Sequence, residues 1–396
     1  MKQICARSSA WLLIWALLVS LHGPTLAAVS TSDLESAVAG SSGYILGTGA
    51  APQVGSIGGE WAVLGLARSG CAVPQDYWDA YYAGVEEYVA SCRGVLHDKK
   101  LTEYSRLTVA LTAIGADPSD VAGYNLLTAL GDYDKTIWQG INGPVWALIA
   151  LDSGNYDMPV NPESTTQATR QMYIDRILAC QLTDGGWSLS GVGTSDADIT
   201  GMTLQALAKY QDQTAVQTAT QQALACMSGR QDDQGGFSSW GTTNLESGAQ
   251  MLVALCELGI GVEDSRFVKN GKTILDHLLS FRQSDGSFLH TDVGPNQMAS
   301  EQGLYGLAAA LRAAEGRSSL YRMDDVTIRV SGSTGADPVG LSGKHADVKK
   351  VPVSAPGTTF SDITVHKNRA AIEAMASRGM INGKGDGLFD PDATMT

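Results

Sequence analysis

The chain has 396 residues, 41 acidic against 27 basic side chains, and a formal net charge of −14. That length allows two or three domains, and the acidic balance argues against nucleic acid or an anionic membrane surface as a partner. Six cysteines without a CxxC argue against a disulfide scaffold.

The first 28 residues read as a secretory signal. Lys2 and Arg7 form a basic start, Trp11 to Leu21 an apolar run, and Ala27 and Ala28 a small-residue cleavage site. The run is too short for a spanning helix, and no later stretch approaches the roughly 20 apolar residues a span needs. Cleavage would leave a net charge of −16 and five cysteines, an odd number, so at least one thiol stays unpaired within the chain.

Six helix-like segments then recur: EWAVLGLARSG (60–70), RLTVALTAIGAD (106–117), GPVWALIALDSG (143–154), TGMTLQALAKY (200–210), GAQMLVALCELGI (248–260) and QGLYGLAAALR (302–312). Their anchors Gly65, Ala110, Ala147, Ala206, Ala254 and Gly306 are 37 to 59 residues apart, room for two helices and two loops. Each is apolar on nearly all sides and reads as a buried inner helix. Between them lie amphipathic stretches with polar faces, among them 75–91, 166–181, 214–231 and 266–283, which read as outer helices. Six alternations predict an all-α protein, a single (α/α)6 toroid of helical hairpins. Apolar runs of period 2 are almost absent before residue 325, which argues against a β architecture.

Three outer helices run into a common turn: CQLTDGGWSLSG (180–191), RQDDQGGFSSWG (230–241) and RQSDGSFLHT (282–291). The glutamine is expected to cap the outer helix, the glycines to permit positive φ, and Trp187, Phe237 and Phe288 to fold back over the turn. These stretches resemble the QW repeats of the squalene cyclase and prenyltransferase repeat superfamily, the terpenoid cyclase-like toroids. The resemblance covers residues 35–322 and implies the same (α/α)6 ring, with bacterial surface proteins and, more distantly, cobalamin carriers as relatives.

From residue 323 to 358 the composition turns to Gly, Ser, Pro and Val, a linker with room for one strand at 326–331. Residues 359–396 resemble an S-layer homology motif through Phe360, Asp362, Ala371, Ile372, Gly379, Ile381, Gly383, Asp386, Gly387, Phe389, Pro391 and Thr396. The resemblance implies a small helical unit that holds proteins to polymers of the Gram-positive cell wall, with Asp362, Asp386 and Phe389 as candidate anchoring residues. Lys367 replaces an aromatic of the motif, and the chain stops where Arg-Ala-Glu should follow Thr396, so a truncated copy with impaired wall binding is expected.

The candidate chemistry lies in SDADITGM (195–202), at the start of an inner helix. Cyclases of the resembled superfamily protonate an alkene with D-x-D-D; Asp196 and Asp198 match its first two carboxylates, and Ile199 stands at the third. The plainer reading is helix capping by Asp198 or Thr200. Glu246, Glu301, Glu60 and Glu103, the last with Arg106 three residues on, also fall at inner-helix starts. In a toroid these starts converge on one mouth, so Asp196, Asp198, Glu246, Glu301 and Glu103 are candidate ligand contacts for a polar or cationic molecule, with ordinary capping as the alternative. The six histidines show no ligand spacing and NGKGDGLFDPD puts Lys384 at a would-be calcium ligand, so no metal or other cofactor is expected. The sequence therefore reads as a secreted, cell-surface binding protein. Its alternatives are an enzyme of the toroid class, cyclase-like or polysaccharide-cleaving, and a cobalamin carrier.

Overall fold

The computed structural model of the chain describes residues 29–329, 355, 357–364, 366 and 368–393. The signal segment, most of the linker, Lys367 and Thr396 lie outside the described residues.

Inner and outer helices alternate along the chain. The outer elements are α1 (Thr31–Gly47), α3 (Gln75–Ser91), α5 (Tyr133–Thr136, preceded by the 3-10 turn Leu126–Gly131), α7 (Arg170–Ala179), α9 (Thr214–Arg230) and α11 (Ile274–Ser280). The inner ones are α2 (Trp61–Ser69), α4 (Thr102–Ala113), α6 (Asn142–Ser153), α8 (Ala197–Leu207), α10 (Leu245–Glu257) and α12 (Gln297–Ala314). Each inner helix packs on the next, and α12 packs back on α2, which closes the ring. All six apolar segments expected inside fall in these six helices. In α10 every residue is buried, polar ones included, because inner helices meet neighbours on both sides, the axis in front and outer helices behind.

The axis is filled. Trp61 of α2 meets Trp146 of α6 edge-on at 5.8 Å, and Tyr305 of α12 donates to Gln205 Oε1 of α8 at 3.1 Å. Both pairs skip an intervening helix, so both contacts cross the ring. Gln205 Nε2 also donates to Gln250 Oε1 of α10 at 3.0 Å, and Gln250 Nε2 to Gln302 Oε1 at 3.1 Å. Buried amides matched in this way fix the relative rotation of α8, α10 and α12.

One end of the ring is sealed by residues 318–325. Arg68 of α2 donates to the carbonyls of Leu320, Ser319 and Arg322, and with Arg312 of α12 it grips Asp325. The two guanidiniums hold the Asp325 carboxyl below its usual range even though partial burial raises it. Glu257, at the end of α10, accepts from Ser319 Oγ at 2.6 Å and Tyr321 N at 3.0 Å; burial pushes its carboxyl up. Arg329 then pairs with Ala116 in an isolated parallel bridge.

The three aromatic-bearing turns behave differently from expectation in one respect. Trp187, Phe237 and Phe288 are buried as expected, and Trp187 Nε1 donates to the Ile177 carbonyl of the preceding outer helix at 2.8 Å. Gln283 Nε2 donates to the carbonyl of Phe281, which ends its own outer helix, at 3.1 Å, as expected, but the other two glutamine side chains do not cap their own helices. Gln181 Nε2 donates to Gly185 O at 2.7 Å and to Ala219 O of the next outer helix at 2.9 Å; Gln231 Nε2 does the same with Gly235 O and Phe267 O. The turn ties its own repeat to the following one.

A two-stranded antiparallel hairpin, β1 (Phe237–Ser239) and β2 (Thr242–Asn244), interrupts the helices at the mouth. Strands of three residues are too short to carry a period-2 signal in the sequence. At the C-terminal end, α13 (Arg369–Ala376) packs Ile372 and Ala376 against Phe360 and Ile363 in a small separate core. Among the described residues no helix is long and apolar enough to cross a membrane, and the five cysteines are unpaired.

Candidate functional site: an acidic mouth

The open end of the ring carries the inner-helix N-termini, and their caps come from residues other than those expected. Asp196, in extended backbone before α8, accepts Asp198 N at 2.9 Å and Ile199 N at 3.1 Å on Oδ1. Asn244 caps α10 by accepting Ser247 N, and Asn296 caps α12 by accepting Ala299 N. Thr200 accepts Trp187 N and donates to Trp187 O, so it braces the turn and does not cap. Capping thus accounts for Asp196 and leaves Asp198, Glu246 and Glu301 unexplained.

Asp196, Asp198 and Glu246 form one group. Asp196 Oδ2 accepts from Ser239 Oγ at 3.0 Å, and Ser239 Oγ accepts from Ser247 Oγ at 3.0 Å, which ties β1 to the starts of α8 and α10. Glu246 Oε2 lies 2.7 Å from His290 Nδ1, while its Oε1 is buried with no protein donor. Asp198 Oδ1 is likewise buried without a donor. Burial pushes the Asp198 carboxyl up to about 6; the Asp196 and Glu246 charges add to this, and the Ser247 and Ser239 hydroxyls oppose it.

Glu301, Glu60 and Glu103 form a second group. Glu301 Oε1 accepts Gly58 N at 2.9 Å and Gln297 Nε2 at 3.1 Å, and Oε2 is buried without a donor. Burial, with the Glu60 charge adding to it, raises its carboxyl. Glu103 pairs with Arg106 at 2.6 Å as the i, i+3 spacing predicts, and Arg106 Nε reaches Glu60 Oε2 at 2.7 Å. Burial raises Glu60 and the Arg106 charge pulls it back. A cleft of about 90 Å³ opens here, lined in part by Glu60, Glu103, Arg106 and Tyr88. One group holds an arginine; the other holds His290 against Glu246. Among the described residues no Lys or Arg forms an ion pair with Asp196, Asp198 or Glu246.

Sequence reasoning missed Ser239, Ser247 and His290. His290 follows Phe288 in the third turn, and no spacing rule connects it to Glu246, 44 residues earlier.

In the C-terminal unit, Asp362 accepts Phe389 N at 2.9 Å and Asp390 N at 2.6 Å, which holds its carboxyl below the usual range. Phe389 packs on Phe360 at 5.3 Å. These two matched residues shape the motif's loop from within. Asp386 is exposed, in left-handed backbone with φ 52°.

Residues 359–396 match the S-layer homology domain. No curated protein matches the chain. Among solved structures, an ent-copalyl diphosphate synthase from Streptomyces platensis is 19% identical, with a TM-score of 0.41; the match covers 64% of this chain and 49% of the synthase, so the chain spans about half that protein's length. A possible member of the GH105 family from Salmonella enterica serovar Paratyphi A is 10% identical, with a TM-score of 0.38, over 75% of this chain and 98% of that one.

Proposed function

We propose, from the S-layer homology domain at residues 359–396, that this chain works at the cell surface of a Gram-positive-type bacterium. The C-terminal unit associates with a cell-wall polymer, with exposed Asp386 as its candidate contact, and the ring presents its acidic mouth to a small molecule or glycan. One observation carries the mouth reading. Helix capping is done by Asp196, Asn244 and Asn296, yet Asp198 and Glu246 each keep a buried oxygen that no protein donor meets. A buried acceptor left unpaired costs about 1–3 kcal/mol, and a ligand supplying N–H or O–H donors removes that cost. Asp198→Asn and Glu246→Gln should therefore lose binding of soluble cell-wall fragments in calorimetry while their melting temperatures hold or rise. Variants that bind like the parent and melt lower would mean that these carboxylates are structural.

A second reading has its own support. A carboxyl near pKa 6 is poised to give and take protons at neutral pH, so Asp198 suits general acid catalysis at the rim. Turnover of any glycan or lipid in a substrate panel that disappears in Asp198→Asn would favour this reading over binding alone.

A further inference from the structure

The tip of the β1–β2 hairpin is Trp240–Gly241, with φ of 53° and 81°. Two successive left-handed residues make a type I′ turn, whose usual occupants are Asn-Gly because a bulky side chain is strained there. Trp240 is 96% exposed, so no burial offsets the strain. Strain and exposure at one large aromatic point to a role outside folding. The strand residue next to this turn is fastened to the acid group, since Ser239, which pairs with Thr242, donates to Asp196 and accepts from Ser247. Neighbouring mouth loops expose Leu189 and Val192 on the α8 side and Val293 on the His290 side.

We propose that the hairpin tip and the acid group form one subsite for an amine-bearing sugar. The indole of Trp240 stacks on the apolar C–H face of the pyranose ring, and Asp198 and Glu246 take its ammonium and hydroxyl donors. A pyranose with a protonated amine meets both halves of the site: a flat apolar face for an aromatic, and a cation for carboxylates that no Lys or Arg of the chain neutralises among the described residues. The net charge of −14 favours such a ligand over an anionic surface. This inference rests on the mouth being a binding site and specifies what it binds.

The test is calorimetry on the full chain with a glucosamine tetramer, its N-acetylated counterpart and a glucose tetramer. The amine form should bind, the other two at least tenfold more weakly, and Trp240→Ala should weaken the amine form at least tenfold without lowering the melting temperature. Equal binding of the three sugars, or full binding by Trp240→Ala, would overturn the proposal. So would Trp240-dependent binding to phosphatidylcholine vesicles in place of sugar, which would make the tip a membrane contact. If Asp198→Asn loses a component of wall extract while Trp240→Ala keeps it, the mouth remains a binding site and only the sugar assignment falls. If neither variant changes any binding, both readings fall.

Discussion

Asp196 and Asp198 stand two residues apart on one helix start and do different work, because only Asp196 precedes the helix and can turn back to its free amides. Asp196→Ala should cost about 0.5–2 kcal/mol, the ordinary loss of a cap, seen as a lower melting temperature at any pH where the fold persists. Asp198 should behave with the opposite sign. Its folded pKa of about 6 lies above the ordinary 3.8, so folding favours the protonated form. No penalty is felt below about pH 4; it grows as pH rises toward 6 and is complete above that, at about 3 kcal/mol as an upper bound. Asp198→Asn should thus melt higher than the parent at pH 7.5, and the difference should vanish near pH 4. Other raised carboxyls, Glu60, Glu257 and Glu301, tilt the whole protein the same way, so the quantity to follow is the difference between variant and parent. A variant that melts lower at pH 7.5 would show the ionised Asp198 to be part of the fold.

At the scale of an element, the aromatic turn is the unit that repeats. Trp187 fills its space completely and its indole N–H donates to the Ile177 carbonyl in the last turn of the outer helix, which also accepts Cys180 N at 3.1 Å. Trp187→Ala should destabilise by about 3–5 kcal/mol, while Trp187→Phe, which keeps most of the volume and loses the hydrogen bond, should cost about 0.5–1.5 kcal/mol for that bond. Denaturant unfolding checks both; equal costs would mean that the ring's volume carries nothing. The burial of this tryptophan was legible, since an aromatic placed between a glycine turn and an apolar helix has one place to go. The reach of Gln181 to Ala219 was not, because the partner lies 38 residues on and belongs to the next repeat. Likewise the inner helices were legible from their all-round apolarity, whereas α1 was missed: TSDLESAVAGSSGYILG is rich in small and polar residues and shows little apolar stripe. The third outer element was missed because it is broken into a 3-10 turn and a four-residue helix. At the mouth, the acidic helix starts could be read from sequence, but which of them cap and which stay unpaired depended on Asn244, Asn296 and Ser239, whose roles only the folded ring assigns.

The whole molecule depends on a contact that no local pattern announces, the closure of the last hairpin on the first. Arg68 and Asp325 meet across 257 positions, and α12 packs on α2, but the outer layer must close as well. It does so at Gly286 of the third turn, where a Cβ would fall 2.2 Å from the Gly40 carbonyl oxygen of α1. Gly185 makes the equivalent approach to Gln222 of the next outer helix, so the closing contact is the same joint that links successive repeats, used once more between the two ends. This gives a controlled test. Gly286 and Gly191 both have left-handed backbone, with φ of 92° and 69°, and Gly191 has open space where a Cβ would go. Alanine at Gly191 should cost only the backbone strain, about 1–2 kcal/mol. Alanine at Gly286 should cost that strain plus overpacking of about 1–3 kcal/mol, and the excess should appear as earlier exposure of α1 in hydrogen exchange. If the two substitutions cost the same and α1 stays protected, the outer layer does not close through this glycine, and the ring is held by its inner helices alone.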